Sequence, residues 1–206
     1  VLDRCLRAAD WDGYAARAAQ SKAQGQRRGR ALSCYIEQGG NFNDRMEIRF
    51  DPGGTATIVA GTHSHGQGHA TTYAQLLHQF LGLPLDTIRF VQGDTDAVPF
   101  GRGTFAGRSS MVGGSALKIA ADAIIEKARR MAALLLEAAE ADLVFADGEF
   151  RIVGTDRHVA LTEVAKAFYR AGGITNQVGV GLEASGSYAG DPPNHPNGCH
   201  IAEVEI

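Results

Sequence analysis

Apolar positions recur along the chain with two periods, and the changes from one to the other outline its elements. Leu2, Cys5, Leu6 and Ala9 fall at helical spacing within residues 1–22. The Gln-, Gly- and Arg-rich residues 25–30 read as an exposed connection, followed by a strand over 31–37. Met46, Ile48 and Phe50 alternate with polar neighbours, Asp51-Pro-Gly-Gly54 supplies turn chemistry, and residues 55–61 are rich in β-branched side chains, so this stretch predicts a hairpin. Tyr73, Leu76, Leu77, Phe80 and Leu81 then share one helical face that stops at Gly82 with Pro84 beyond. A strand is predicted over 86–92.

The helical period returns over residues 109–141, turning Val112, Ala116, Ile119, Ala123, Ile124, Met131, Leu134 and Leu135 inward. A helix of that length is expected to be the spine of the fold. Residues 143–153 predict a second hairpin around Asp147-Gly148, and 161–171 a short helix stopped by Gly172-Gly173. At the end, Ala202, Val204 and Ile206 alternate with charged residues as in a half-buried strand. The fold class is α/β (α+β): β-hairpins and two glycine-rich loop-to-helix junctions packed on a long helix.

With 206 residues and 44% hydrophobic content, the chain is expected to fold as one compact unit. It starts without an initiator methionine and stops within the final strand, so it reads as a domain, residues 1–206, excised from a larger subunit. Twenty basic against 23 acidic side chains provide no field for a polyanion, so nucleic acid is not an expected partner. No apolar run is long enough to span a bilayer, and the first residues carry neither a charged-then-apolar signal nor a twin-arginine pair. Cys5, Cys34 and Cys199 are odd in number and far apart in sequence. They argue against a disulfide framework or zinc site, fit a reducing cytoplasm, and read as small buried hydrophobes.

Chemistry concentrates in two loops. The first, Gly61-Thr-His-Ser-His-Gly-Gln-Gly-His-Ala-Thr-Thr72, joins the first hairpin to a helix. Glycines let its backbone N–H groups turn outward, and the helix start directs free donors and partial positive charge to the same place. The second, Gly101-Arg-Gly-Thr-Phe-Ala-Gly-Arg-Ser-Ser110, repeats the design and adds hydroxyls and the guanidinium fork of Arg108. Together they suit a ligand with phosphates or pterin-like polar edges.

Other clusters weigh less. His63, His65 and His69 lack a nearby carboxylate or thiol, so no metal site is assigned to them. Asp94 and Asp96 read as a turn, and Arg27, Arg28 and Arg30 as solvated loop charges. Gly66-x-Gly68 and Gly101-x-Gly103-x-x-Ala106 partly match the nicotinamide dinucleotide fingerprint. However, Thr71 holds the third glycine position, and Asp86 opens the next strand where the ribose-binding acid should close it. A nicotinamide dinucleotide-binding module and a ligand-free assembly domain remain as alternatives.

Four ordered motifs carry a resemblance: Gly66-Gln-Gly-His-Ala-Thr-Thr-Tyr-Ala-Gln75, Val91-Gln-Gly-Asp-Thr-Asp96, Gly103-Thr-Phe-Ala-Gly-Arg-Ser-Ser110 and Pro196-Asn-Gly-Cys-His-Ile-Ala-Glu-Val-Glu205. In order and spacing the chain resembles the large subunit of molybdenum hydroxylases, the xanthine dehydrogenase and aldehyde oxidase family, most like its aerobic carbon monoxide dehydrogenase branch. The resemblance implies the second molybdenum-cofactor-binding domain, whose loops hold molybdopterin, commonly as its cytosine dinucleotide. It points to Gly66, Gln67, Gly68 and His69 in the first loop, and to Thr104, Ala106, Gly107, Arg108, Ser109 and Ser110 in the second. Ala70 departs from the pattern, standing where this branch often has glutamate.

The family oxidises a small substrate such as carbon monoxide, an aldehyde or an N-heterocycle with water, passing electrons to iron–sulfur and FAD partners beside the remainder of the large subunit. None of the residues that perform that step can be matched here. Gly179-Val-Gly181-Leu-Glu183 only superficially resembles the family's Gly-x-Gly-Glu motif, so no catalytic residue is assigned.

Overall fold

The structure, a computed structural model, describes residues 1–40, 42–170, 175–190 and 192–206. Along the chain come α1 (Leu2–Ala8), α2 (Tyr14–Ala23), β1 (Arg28–Ile36), β2 (Asn43–Phe50), β3 (Ala56–Ala60), α3 (His69–Leu81) and β4 (Ile88–Gln92). After them follow α4 (Gly114–Leu136), β5 (Leu143–Ala146), β6 (Glu149–Ile152), β7 (His158–Ala160), α5 (Leu161–Ala167), α6 (Thr175–Val178), β8 (Glu183–Ala189) and β9 (Asn197–Glu205). The mixed α/β class agrees with the alternating periods. The single compact unit does not: residues 1–39 and 193–206 form one unit and residues 40–192 another.

In the larger unit, β2 and β3 form the predicted hairpin, with β8 antiparallel on the outer side of β2 and β4 parallel to β3. Met46, Ile48 and Phe50 face inward from β2, while Glu47 pairs on the other face with Arg45 (3.2 Å) and Arg49 (2.9 Å). Helix α3 crosses between the parallel strands, buries Tyr73, Leu77 and Leu81 at successive turns, and ends at Gly82 in the left-handed region (φ 67°). A second sheet, β5-β6-β7, contains the hairpin around Asp147-Gly148.

The long helix is the spine, but it is shorter than its periodicity predicts. A π-helical turn, Ser109–Gly113, precedes α4, which ends at Leu136 because Glu137 turns left-handed (φ 48°). Its buried stripe runs through Ala116, Leu117, Ala120, Ile124, Ala128 and Met131, whereas Ile119 and Ala123 are exposed and Leu134 and Leu135 half-buried. The small residues on this stripe let β8 approach closely. A Cβ on Gly186 would collide with the Ala116 carbonyl, and would lie 2.5 Å from the Ala120 amide nitrogen and 2.9 Å from Ile119 Cβ. The predicted end of the short helix at Ala171, with its stop at Gly172-Gly173, lies outside the described residues, where α5 has already ended at Ala167.

In the smaller unit, the helix expected over 1–22 is two helices separated by a turn, and β1 pairs antiparallel with β9. Arg28 and Arg30 belong to β1 rather than to an exposed connection. Arg28 meets Glu203 (2.7 Å) and also pairs with Glu205, while Arg30 lies over the Trp11 ring (3.7 Å). Glu203 also takes Arg17 (2.8 Å), and these two guanidinium groups, Arg17 foremost, hold its carboxyl down at about 2. The period of β9 is as predicted but its inner face is the opposite one. Cys199, Ile201 and Glu203 are half-buried, and Ala202, Val204 and Ile206 are exposed, because Glu203 satisfies the arginines that the helical side presents. Cys34 is exposed and Cys5 and Cys199 are half-buried, so the thiols are not the buried hydrophobes expected of them.

Gly186→Ala should lower the stability of the domain by about 2 kcal/mol, since the obstructing atoms are mostly backbone. Gly29→Ala, where an added Cβ meets nothing within 4 Å, should be nearly silent. Urea unfolding midpoints compare the two.

Candidate functional site

The two glycine-rich loops emerge side by side at the ends of β3 and β4. Gly61 and Gly101 touch so closely that a Cβ on either would strike the other's backbone. The contact is fastened by hydrogen bonds: Gly103 N–H donates to the Gly61 carbonyl (3.1 Å), His63 N–H to Thr104 Oγ1 (2.9 Å), and Ser64 N–H to Gln92 Oε1 at the end of β4 (3.0 Å). The Gln67 side chain folds back on its own loop, accepting from the His65 N–H and donating to the His63 carbonyl (3.3 Å).

Between the loops lies a cavity of about 280 Å³ lined by Gln67, His69, Thr72, Tyr73, Thr104, Gly107, Ser109 and Ser110. Its walls carry neutral hydrogen-bonding groups. Ser109 Oγ donates to Thr104 Oγ1 (3.0 Å), and the Tyr73 hydroxyl donates to the Ser109 carbonyl (2.7 Å), which ties α3 to the π-helical turn. Both helix starts lack a side-chain cap, at Gly68 before α3 and at Arg108 before the π turn, and residues of both first turns line the cavity. Gly68 is left-handed (φ 76°), which a side chain would resist. The first turn of α3 holds no acid, and exposed Ala70 leaves that end free of a competing carboxylate.

His69 is the unusual member. It is 6% exposed, and its Nδ1 is buried with no hydrogen-bond partner among the described residues. Burial, reinforced by His65 and His63, pushes its pKa below the ordinary value and keeps the ring neutral. The His63 and His65 rings lie tilted at 36° with centroids 4.9 Å apart, and no group of His, Cys, Asp or Glu among the described residues could hold a metal ion.

Six of the ten residues singled out in the sequence line the cavity; Gly66, Gly68, Ala106 and Arg108 do not. Gly68 shapes the start of α3. Ala106, in a left-handed backbone (φ 46°), offers its carbonyl to Gly40 N–H (3.0 Å). Arg108 is the clear correction. Its guanidinium is fully buried, paired with Asp44 (2.7 Å), and donates to the carbonyls of Gly103 (2.6 Å) and Asn43 (2.8 Å), so it anchors the second loop to β2 rather than facing a ligand. Thr72 and Tyr73 were missed. A lone hydroxyl on an apolar helical face, four residues after His69, was the signal for Tyr73.

The parallel β3-α3-β4 unit is the framework on which nucleotide loops are also built. Asp86, however, lies in the turn before β4, at the end away from the loops, as the dinucleotide reading requires it not to.

The profile of the molybdopterin cofactor-binding domain matches residues 4–206. The carbon monoxide dehydrogenase large chain of Hydrogenophaga pseudoflava is 39% identical over 181 residues, 86% of this chain and 22% of that relative. Among solved structures, the Cu,Mo-CO dehydrogenase superposes with a TM-score of 0.78 at 32% identity, covering 99% of this chain and 28% of that one. Quinoline 2-oxidoreductase from Pseudomonas putida 86 does so with a TM-score of 0.78 at 29% identity and the same coverage. The chain thus spans only about a quarter of the relatives it matches. With the two loops gathered on one cavity and the family profile running through nearly every residue, the chain belongs to the molybdopterin cofactor-binding domains of the molybdenum hydroxylase family.

Proposed function

We propose that this chain, as the second cofactor-binding domain of a larger cytoplasmic subunit, supplies one wall of a molybdopterin pocket, with the cofactor in its cytosine dinucleotide form. The observation that carries the reading is the convergence of two uncapped helix starts and the partnerless His69 Nδ1 on a single cavity. When bound, the cofactor supplies the redox centre for oxidising a small substrate such as carbon monoxide, an aldehyde or an N-heterocycle with water. Iron–sulfur and FAD partners receive the electrons.

The residues present fit such a group. The free N–H groups at the starts of α3 and the π turn favour phosphate oxygens, and Thr104, Ser109, Ser110 and Gln67 offer hydroxyls and an amide to a heterocycle. Neutral His69 presents a ring nitrogen without burying a charge. Arg108 acts at one remove: bonded to Asp44 and to two backbone carbonyls, it sets the path of the second loop and hence the positions of Thr104 and Ser109.

The full subunit should contain molybdenum and a pterin dinucleotide, and finding neither by elemental analysis and pterin fluorescence would overturn the reading. Ser109→Ala should weaken pterin retention about 5-fold, the worth of one lost hydrogen bond, with little change in unfolding midpoint, whereas Thr104→Val should weaken retention and also lower the midpoint by removing the acceptor of the His63 N–H. Arg108→Met should instead destabilise the domain itself by about 3–5 kcal/mol, because Asp44 is left buried and unpaired. Since the folded state holds His69 neutral while the unfolded chain takes up the proton, His69 should cost stability as pH falls below about 6.5. His69→Asn should flatten that part of the stability–pH curve.

A further inference from the structure

Three thiols isolated in the sequence meet in the smaller unit, and none of them lines the cofactor cavity. Cys34 in β1 stands directly opposite Cys199 in β9. Cys5, from α1, lies 3.4 Å from the Cys199 carbonyl with its thiol donating to it. All three are free.

The register decides how close the opposed pair stands. Arg27 and Ile206 exchange both backbone hydrogen bonds (2.7 and 2.9 Å), as do Gly39 and Asn194 at the other end of the ribbon (2.8 and 3.1 Å). Hydrogen-bonded pairs recur at every second residue of an antiparallel ladder, and the register is unbroken between these two points. Cys34 and Cys199 therefore occupy a non-hydrogen-bonded pair, where Cα atoms approach to about 4.5 Å and side chains leave on the same face. Disulfides span Cα separations of about 4.4 to 6.8 Å, so the bond needs no movement of the backbone.

We propose that Cys34 and Cys199 are a reversible redox pair that closes to a cross-strand disulfide when hydrogen peroxide reaches the ribbon. The exposed Cys34 sulfur attacks the peroxide oxygen, giving a sulfenic acid and releasing one water. Cys199 sulfur then displaces the hydroxyl of that sulfenic acid, the S–S bond forms, and the Cys199 proton leaves with it as a second water. Each sulfur gives up one electron and the peroxide takes both.

The division of roles follows from burial. Cys34 is the exposed thiol. Cys199 is held protonated, its thiol pushed up to about 12 by burial and by the neighbouring Cys34 and Cys5 thiols, so it is slow to meet oxidant itself and acts on an oxidised neighbour. Because β1 and β9 are the strands from which residues 40–192 leave and to which they return, the bond closes the chain covalently around the whole cofactor-binding unit.

The test uses the holoenzyme carrying the full large subunit. After a short exposure to hydrogen peroxide, free thiols are alkylated and the protein is digested without reductant for mass spectrometry. The peptides bearing Cys34 and Cys199 should appear joined, lighter by two hydrogens than the separate thiol peptides, and should separate on addition of dithiothreitol. The two alkylatable thiols should disappear one for one. Cys5→Ser should keep the joined peptide, and Cys34→Ser should abolish it while leaving Cys199 open to alkylation and molybdenum and pterin content at the wild-type level. Conversion of Cys34 to sulfinic acid with Cys199 still alkylatable would overturn the proposal. So would persistence of both thiols in the folded enzyme, or a link that forms only after urea.

Discussion

The pocket depends on one buried ion pair. Arg108 and Asp44 have fully buried side chains, and the guanidinium also donates to the carbonyls of Gly103 and Asn43. An arginine so placed is tolerated only where its hydrogen-bonding capacity is used, and here that requirement fixes the second loop against β2. The second loop in turn holds the first through the Gly61–Gly101 contact and the His63–Thr104 bond. The hydroxyls lining the cavity are therefore positioned from below, by a charge pair that never reaches it.

Much of this architecture was legible in local pattern. The β2–β3 hairpin, the face and stop of α3 and the hairpin at Asp147-Gly148 follow from alternation, helical spacing and turn residues, all of which act over a few positions. The role of Arg108 was not, since its partner Asp44 lies 64 positions away and nothing near either residue marks the pairing. Sequence context shows a guanidinium among glycines and hydroxyls, which describes a ligand-facing fork as well as a buried anchor. The early end of α4 has a similar cause: Glu137 turns left-handed at a position where no glycine signals a stop.

The ribbon offers a sharper case. Alternation in β9 reports the strand and its period, but it assigns the wrong inner face, because hydrophobicity alone ranks Val204 above Glu203 as a buried residue. The outcome is reversed by Arg17 and Arg28, whose guanidinium groups gather on one side and bring Glu203 and Glu205 with them. A strand covered by an ion-pair network keeps its period and inverts its polarity. The same face carries Cys34 and Cys199, so convergence of the thiols was invisible for the same reason: it depends on the register between the two ends of the chain.

That register has a consequence for how the domain tolerates change. The segment from Gly40 to Pro192 begins and ends beside the Gly39–Asn194 bridge, so its ends are already brought together by the ribbon. The entropic cost of closing so long a loop grows only with the logarithm of its length. The pocket-bearing segment is in effect a cassette mounted on a fixed clasp: surface loops within it can lengthen or shorten during evolution with little effect on the strands that hold it.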